Sequence, residues 1–291
     1  MLHYFMYNIC FSSDIPLFNI PQTSFQNPDV FIHEGNVTYE GIPEDQKFFY
    51  LDNNVAVLDF FCGKMRICHG EELVYSIKPG FSSESVTPFI VGWGLSFILT
   101  HRKHSVFHCS ALSYNNKCFF VSGISGAGKS TTALELIHQG CKYLADDIAI
   151  VDSLEDMMVL PAFPIQKVCP DVSISLPQEC LYSINNDRGK FSYLNTSDYL
   201  DKSQKLFAII KLTLNDSDDI VVTEETGLSK FYRIMECLFL LEYYSHNSIP
   251  NEEKYRCLKI AEKIRVYTVS RPKQKDTREI IAKKIMALID N

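Results

Sequence analysis

The chain has 291 residues, of which 46% are hydrophobic and 22% are charged, and its net charge at neutral pH is −7. This balance is typical of a folded globular protein and excludes a disordered chain. The negative charge argues against a general surface for nucleic acid or for an anionic membrane, so we expect neither as a partner.

Compartment and membrane topology follow from simple features of the sequence. Ten cysteines are scattered from Cys10 to Cys257 with no secretory signal before them, so we expect free thiols. The longest apolar stretch, residues 86–100, is interrupted by Pro88 and is shorter than the ~20 residues that a spanning helix needs. We therefore expect a cytoplasmic protein with a buried core helix in this stretch.

The N-terminal part of the chain predicts a β-rich domain over residues 1–85. It contains short runs of β-type residues separated by turn residues: 30–33, 48–51, 55–61, 65–68 and 73–77. No motif for catalysis lies among them, so packing, assembly or holding a protein substrate is the expected role. Residues 86–291 are predicted to form a second domain.

A glycine-rich stretch is the first candidate functional motif of that second domain. Residues 123–132 read Gly-Ile-Ser-Gly-Ala-Gly-Lys-Ser-Thr-Thr and match the Walker A pattern G-x-x-x-x-G-K-[ST]. An apolar run, 117–121, precedes the motif, and a segment with helical periodicity, 131–139, follows it. This strand, loop and helix predict a phosphate-binding loop. Its candidate nucleotide-binding residues are Gly123, Ser125, Gly126, Ala127, Gly128, Lys129, Ser130 and Thr131.

The residue types of the loop suit a nucleoside triphosphate. Glycines bring backbone N–H groups close to phosphate oxygens, and the helix that follows adds the positive end of its dipole. Lys129 is expected to reach the outer phosphates, and the Ser130 hydroxyl is expected to ligate Mg²⁺. ATP and Mg²⁺ are therefore the expected cofactors.

Two acidic residues follow the next predicted strand. Residues 141–145 form an apolar run that ends in Asp146 and Asp147. In a phosphate-loop fold, one carboxylate there can hold Mg²⁺ and a second can accept a proton from an incoming hydroxyl. The alternative is that the pair only begins a turn. His108 lies on the predicted strand before the loop, where it is either a core histidine or a site residue.

Residues 157–190 are predicted to form a loop-rich excursion, because Pro161, Pro164 and Pro170 punctuate it. Beside a phosphate loop such a segment can serve as a lid or a substrate platform. Its cations are candidate phosphate clamps or else solvated surface charges: Lys167, Arg188 and Lys190.

The rest of the chain predicts core elements. We expect strands at 206–212 and 266–269 and helices at 252–264 and from Asp276 onward. Residues 228–244 show a strong helical period, with Leu228, Phe231 and Leu238 on one face, and predict a single core helix.

Taken together, residues 108–147 resemble the catalytic domain of the HPr kinase/phosphorylase family. The shared features are His108, the loop 123–130 with Ser125 at its third position, and Leu-Ala-Asp-Asp at 144–147. The resemblance implies an α/β fold with a mixed β-sheet P-loop kinase core of the HPr kinase C-terminal-domain type, related to phosphoenolpyruvate carboxykinase. The β-rich N-terminal portion would precede that core.

The resemblance also implies roles for single residues. His108 would be the catalytic histidine, Lys129 the phosphate-binding lysine, Ser130 a Mg²⁺ ligand and Asp147 the proton acceptor, with Asp146 adjacent. Of the acidic pair, Asp146 is then the expected metal ligand. Relatives assemble, so a homo-oligomer is a further expectation.

Departures from the family pattern point to one of its branches. Thr131 replaces the usual acidic residue, and the later glycine-rich signature has no counterpart between residues 152 and 190. The run 160–171, with Arg188-Gly-Lys190 after it, is similar to kinases found beside peptide-modifying enzymes, including lasso-peptide tailoring kinases.

The expected function is an ATP- and Mg²⁺-dependent kinase that phosphorylates a serine-type hydroxyl of a peptide or small protein. One alternative is a kinase of free serine or of another small metabolite. A second alternative, from a different class, is a regulatory module that binds a nucleotide and transfers nothing.

Overall fold

The computed structural model describes residues 1–170, 176–184, 189–244 and 249–290. The chain divides into two compact units. The first comprises Met1–His104 and Cys169–Leu194, and the second comprises Ser105–Val168 and Asn195–Asn291. The boundaries of these units differ from the boundary between residues 85 and 86 that the sequence predicts. That domain boundary stays a prediction.

The first unit contains a mixed sheet with the order β1-β2-β3-β7-β6-β5-β4. Parallel pairing joins β2 to β3 and β3 to β7, and the remaining neighbours are antiparallel. The five strands predicted in this part are present. The strands are β1 (Leu2–Met6), β2 (Ile9–Ser13), β3 (Val30–Glu34), β4 (Phe49–Leu51), β5 (Val55–Phe60), β6 (Gly63–Cys68) and β7 (Glu72–Ile77).

A helical segment follows β7 in the same unit. It consists of α1 (Ser83–Phe89), a π-helical turn (Ile90–Gly94) and α2 (Leu95–His101). Gly94 packs against the sheet, because a Cβ at this position would lie 2.7 Å from Cδ1 of Leu73. The segment is the buried core helix predicted from residues 86–100, although it begins earlier and contains the π turn.

The second unit contains the larger sheet, which has the order β11-β9-β10-β17-β13-β12-β8, with β19 beside β17 and β18 beside β19. Strands β10, β17 and β19 are parallel, whereas β9 is antiparallel to β10 and β11. The strands up to residue 168 are β8 (Ser105–Phe107), β9 (Cys109–Tyr114), β10 (Lys117–Gly123), β11 (Lys142–Ala145), β12 (Ala149–Ser153), β13 (Met158–Val159) and β14 (Ile165–Val168). Those that follow are β15 (Leu181–Ser183) and β16 (Phe191–Leu194), both in the first unit, and then β17 (Gln204–Asn215), β18 (Val221–Glu224) and β19 (Arg265–Pro272).

Helices cover this sheet. They are α3 (Lys129–His138), α4 (Gly227–Met235), α5 (Leu241–Tyr244), α6 (Asn251–Lys263) and α7 (Arg278–Asp290). Alternate residues of β10 and β17, such as Val121 and Ile210, pack with Leu136 of α3 and Ile285 of α7 in one buried cluster. The α/β class with mixed sheets is therefore confirmed. Within the described ranges, no helix has the length and apolarity needed to cross a lipid bilayer.

The prediction of one core helix over residues 228–244 is wrong. Helix α4 ends at Met235, and Leu238 forms an antiparallel bridge with Phe107 of β8. The backbone N–H of Phe239 donates to the carbonyl of Val106. These backbone bonds to β8 replace helical bonds, and Leu228, which was expected in the core, is 71% exposed. Tertiary pairing has overridden the helical periodicity of the sequence.

Candidate active site

The Walker A pattern forms the turn between β10 and α3. Gly126 and Gly128 have φ angles of 85° and 96°, in the left-handed region that favours glycine. A Cβ at Gly123 would lie 2.6 Å from the carbonyl oxygen of Leu212, so the loop starts in close contact with β17. Residues 124–126 are exposed. The loop therefore presents its backbone to solvent, where an anionic ligand can reach it.

Two hydroxyl residues and a lysine follow the loop in the first turn of α3. Nζ of Lys129 donates to the carbonyl oxygen of Gly123 at 2.6 Å and so folds back over the loop. Ser130 and Thr131 are half-buried beside it. The positive end of a ten-residue helix and a primary ammonium thus lie on the same short segment.

The strand register places the acidic pair at the same sheet edge as the loop. Strand β9 lies between β10 and β11 and pairs Cys109 with Ser122 and Ala111 with Ala145. Because β9 is antiparallel to both neighbours, its start lies beside the ends of β10 and β11. Two strand spacings correspond to about 10 Å, which is the expected separation between the start of the loop and Asp146.

Asp147 is held by two basic side chains. Nε2 of His108 lies 3.3 Å from its Oδ1, and Nζ of Lys167 lies 2.5 Å from its Oδ2. Burial alone would raise the pKa of Asp147, but the positive charge of Lys167 and the hydrogen bond from His108 hold this pKa well below its usual value. The carboxyl group is therefore an anion at neutral pH.

The backbone of Asp147 is strained. Its φ is 72°, in the left-handed region that residues with a Cβ seldom adopt. Such strain costs about 1–3 kcal/mol and persists where surrounding contacts impose it. His108 and Lys167 lie on elements outside this turn. The strained residue therefore carries a carboxylate that tertiary partners hold in place.

Asp146 differs from its neighbour in environment. Its Oδ1 accepts a hydrogen bond from the Ser110 hydroxyl at 2.5 Å, and its Oδ2 accepts one from the backbone N–H of Lys167 at 2.7 Å. Burial raises the pKa of Asp146, and these two hydrogen bonds offset part of the increase. Both oxygens thus already have donors, an arrangement that suits positioning of the Lys167 backbone. Its role as a metal ligand stays a prediction.

The position of His108 is set by its backbone. The His108 N–H donates to the carbonyl of Cys237 at 2.8 Å, and its carbonyl accepts from the Ser122 hydroxyl at 2.9 Å. The imidazole packs near Phe239, with 5.6 Å between ring centroids. The strand that leads into the loop and the segment after α4 therefore both fix this histidine, and its side chain remains 43% exposed.

The clamp candidates have different positions. Lys167 lies beside the acidic pair, and its ammonium is engaged by Asp147. Lys190 belongs to the first unit, where its carbonyl accepts from the N–H of Ile184. Arg188 falls outside the described residues. Its assignment, like that of Lys190, stays a prediction.

Arg271 contacts the loop and was not predicted from the sequence. It follows the buried part of β19, and its Nε donates to the carbonyl of Ala127 at 3.0 Å. A Cβ at Gly128 would lie 3.0 Å from Nη2 of the same guanidinium. The sequence feature that could have identified Arg271 is a basic residue at the end of the predicted apolar strand 266–269. A guanidinium in contact with a phosphate loop can bind an anion there.

A cavity adjoins Arg271 and the start of α3. It is half-open, with a volume of about 80 Å³. The Thr277 hydroxyl on its wall is buried and has no hydrogen-bond partner within the described part of the chain. A ligand group that occupies this cavity could therefore hydrogen-bond to Thr277. The lining residues are Gly128, Thr131, Thr132, Arg271, Asp276, Thr277, Arg278 and Ile281.

No cluster of three or more His, Cys, Asp or Glu side chains suited to a metal exists among the described residues. Mg²⁺ commonly takes only one or two protein oxygens and completes its shell with phosphates and water. The Ser130 hydroxyl and a carboxylate of the acidic pair are chemically suited to be those one or two protein ligands.

No family model matches the sequence, and no curated protein matches it. Among solved structures, the chain is similar to the HPr(Ser) kinase/phosphatase from Coxiella burnetii, with a TM-score of 0.33 and 12% identity over 63% of this chain and 94% of that chain.

Proposed function

We propose that the protein is an ATP- and Mg²⁺-dependent kinase that transfers the γ-phosphoryl group to a serine-type hydroxyl of a peptide or small protein. The observation that carries this proposal is that the glycine-rich loop at residues 123–130 and the ionised carboxylate of Asp147 lie at one edge of the sheet. A site that only binds nucleotide has no need of a carboxylate oriented by both a histidine and a lysine. Phosphoryl transfer to a hydroxyl does need one.

The triphosphate would lie along residues 123–130. Backbone N–H groups of the loop and of the first turn of α3 would bind the inner phosphates, and Lys129 would move from the Gly123 carbonyl to the outer ones. Arg271 would add positive charge from the opposite side of the loop. Bound to the phosphates with Ser130 and a carboxylate as protein ligands, Mg²⁺ would neutralise the charge that develops on the leaving oxygens.

In the transfer step, the acceptor hydroxyl oxygen bonds to the γ-phosphorus while the bond from that phosphorus to the bridging oxygen breaks. The electron pair of the broken bond leaves with ADP, and the hydroxyl proton passes to Asp147. A carboxylate with a depressed pKa is a weak base. Its contribution is therefore to orient the hydroxyl and to accept the proton late.

His108 and Lys167 act through Asp147 in this proposal. His108 orients the carboxylate from one side at 3.3 Å, and Lys167 keeps it ionised from the other at 2.5 Å. As a phosphate clamp, Lys167 would also bind the transferred group. The two roles are compatible because an ammonium has three donors.

The test is transfer from γ-labelled ATP with Mg²⁺ to serine-containing peptides, with free serine and a set of small hydroxyl metabolites as parallel acceptors. We expect labelled phosphoserine in peptide and little label in free serine. Label in free serine alone would replace the proposal with a metabolite kinase. Tight ATP binding with no labelled product from any acceptor would replace it with a nucleotide-binding regulatory module.

Matched variants separate binding from transfer. Lys129→Ala should lose nucleotide affinity, whereas Asp147→Asn should keep it and lose transfer. Lys273→Ala is the control, because this exposed lysine pairs with Asp216 and touches neither the loop nor Asp147 in the described contacts. Transfer at the wild-type rate in Asp147→Asn would refute its role as proton acceptor.

A further inference from the structure

The half-open cavity beside Arg271 lies where two helices begin. Residues at the start of α3 and residues at the start of α7 both line it. The two helices pack together, since Ala133 of α3 and Ala282 of α7 belong to the same buried cluster. The N-terminal end of each helix therefore borders the same small space, which has a volume of about 80 Å³.

These two helix ends make the cavity attractive to an anion. The first N–H groups of a helix have no acceptor within the helix, and the helix dipole adds roughly half an elementary charge at that end. Helix α3 has 10 residues and α7 has 13, so both are long enough to carry such a dipole. Phosphate and other anions commonly bind at helix N-termini for this reason.

The Thr277 hydroxyl gives an independent indication of a ligand. The Thr277 carbonyl accepts a hydrogen bond from the N–H of Ile281 at 2.9 Å, which identifies Thr277 as the N-cap residue of α7. The side chain of an N-cap threonine normally accepts a hydrogen bond from an N–H of the first turn. Thr277 is only 7% exposed, and its hydroxyl has no hydrogen-bond partner in the part of the chain that the structure describes. A group bound in the cavity would remove the cost of this unpaired hydroxyl.

The side-chain charges on the wall have the same sign as the helix ends. Two guanidinium groups and one carboxylate line the cavity. The carboxylate, Asp276, pairs with Arg278, whose Nη2 lies 2.6 Å from its Oδ2. Arg271 donates instead to the backbone carbonyls of Ala127 and Pro272, and it forms no ion pair within the described ranges. The wall therefore carries an excess of one positive charge, which Arg271 supplies.

The size of the cavity selects among anions. One ordered water needs roughly 10–15 Å³ of such volume, so the cavity has room for about five to eight groups of that size. A phosphate group, with one phosphorus and four oxygens, fits this space. Its oxygens can accept hydrogen bonds from several directions, and the donors here lie on three elements, α3, α7 and β19.

We infer that this cavity is a second phosphate site, next to the backbone of the loop, and that it binds one phosphate group through Arg271, the Thr277 hydroxyl and the N–H groups at the starts of α3 and α7. The group is either free orthophosphate or a phosphate of the bound nucleotide. Both present the same chemistry to the cavity, and only the second source rests on the proposed function.

Matched substitutions of Thr277 test the site. Asp and Asn are both favourable N-cap residues, so Thr277→Asp and Thr277→Asn should both keep α7 folded, which circular dichroism checks. The first variant places a negative charge at the cavity, and the second places a neutral side chain of the same size there. We expect Thr277→Asp to weaken phosphate binding about tenfold or more, and Thr277→Asn to weaken it by about threefold at most.

Two further variants act outside α7. Arg271→Met removes the excess positive charge and should weaken phosphate binding about tenfold. Lys273→Ala is the control, because this exposed lysine pairs with Asp216 and is not among the residues that line the cavity. It should bind phosphate as the wild type does.

Two calorimetric titrations of the full-length chain separate the sources. In the first, orthophosphate is titrated into Lys129→Ala protein, which lacks the lysine of the loop, with and without each Thr277 substitution. In the second, orthophosphate is titrated into protein saturated with a non-hydrolysable ATP analogue and Mg²⁺. Orthophosphate that binds to this complex identifies free phosphate as the source. Exclusion of orthophosphate, with an analogue affinity that Thr277→Asp lowers about tenfold, identifies a phosphate of the nucleotide.

The comparison between the two Thr277 variants decides the matter. If Thr277→Asp and Thr277→Asn bind orthophosphate equally well and also bind the analogue equally well, the inference is overturned. Unchanged affinity for both ligands in Arg271→Met would overturn it as well. Phosphate binding as expected, with no label transferred from ATP to any acceptor, would refute the proposed function and leave the phosphate site in place.

Discussion

Nζ of Lys167 lies 2.5 Å from Oδ2 of Asp147, and the two side chains are only 24% and 23% exposed. A buried carboxylate that loses such a partner keeps its desolvation cost without the compensating charge. We expect Lys167→Met to lower the free energy of unfolding by about 1–3 kcal/mol, measured by urea denaturation. In an Asp147→Asn background the same change should cost much less. An equal cost in both backgrounds would show that the ion pair is not the cause.

Substitutions of the two aspartates should change different kinetic quantities. Asp147→Asn removes the proposed proton acceptor and should lower kcat by about 10²- to 10⁴-fold with little change in ATP affinity. Asp146→Asn keeps the charge of Asp147 and perturbs the bonds to Ser110 and to the Lys167 backbone. If Asp146 is a metal ligand, its variant should need more Mg²⁺ for half-maximal rate. The measurement is the initial rate of transfer at several Mg²⁺ concentrations, and an unchanged Mg²⁺ requirement would remove Asp146 from the metal site.

Acid pH should affect the pair in opposite directions. The pKa of Asp147 is depressed in the folded chain, so its stabilisation is present above about pH 4 and is lost as pH falls below the unfolded value. The pKa of Asp146 is raised, so its contribution to stability is present below about pH 4 and is lost as pH rises above that value. Urea unfolding between about pH 3 and pH 7 should show a flatter acid decline in Asp147→Asn and a steeper one in Asp146→Asn. The same pH profile in wild type and both variants would contradict these assignments.

Parts of this arrangement were visible in the sequence, and others were not. The motif at 123–130 and the carboxylates at 146–147 are local patterns, and their strand and helix context follows from hydrophobic periodicity. The pairing of Lys167 with Asp147 spans 20 residues and crosses a proline-rich segment, where periodicity gives no register. Local spacing therefore identified Lys167 as a candidate and could not name its partner.

The break after Met235 shows a second limit. Residues 228–244 have the period of a helix, but residues 237–239 pair with β8 and hold His108 instead. Sequence periodicity measures which side of an element is apolar and does not measure competing backbone partners from a distant strand. The same break leaves Leu228 exposed at the surface.

Two glycines of the loop offer a matched pair of substitutions. Both have positive φ, so alanine at either costs backbone strain, but a Cβ at Gly126 meets nothing within 4 Å while one at Gly128 lies 3.0 Å from Nη2 of Arg271. We expect Gly128→Ala to weaken ATP binding more than Gly126→Ala. Isothermal titration with ATP and Mg²⁺ gives both affinities. Equal losses would indicate that strain alone, rather than displacement of Arg271, sets the effect.

Arg271 has one local signal in the sequence, which is its position at the end of a predicted strand. Its Nε binds the Ala127 carbonyl across 144 residues of chain, and its planar guanidinium also borders the cavity that contains the Thr277 hydroxyl. We expect Arg271→Met to raise the KM for ATP about tenfold, which corresponds to ~1.4 kcal/mol, with a smaller effect on kcat. Arg271→Lys should rescue little, because the shorter lysine lacks the planar fork of donors with which the guanidinium holds the Ala127 carbonyl and faces an anion in a fixed geometry. Lys273→Ala, two residues on, should behave as wild type. A full rescue by lysine would mean that charge alone matters and that the contact with Ala127 is incidental.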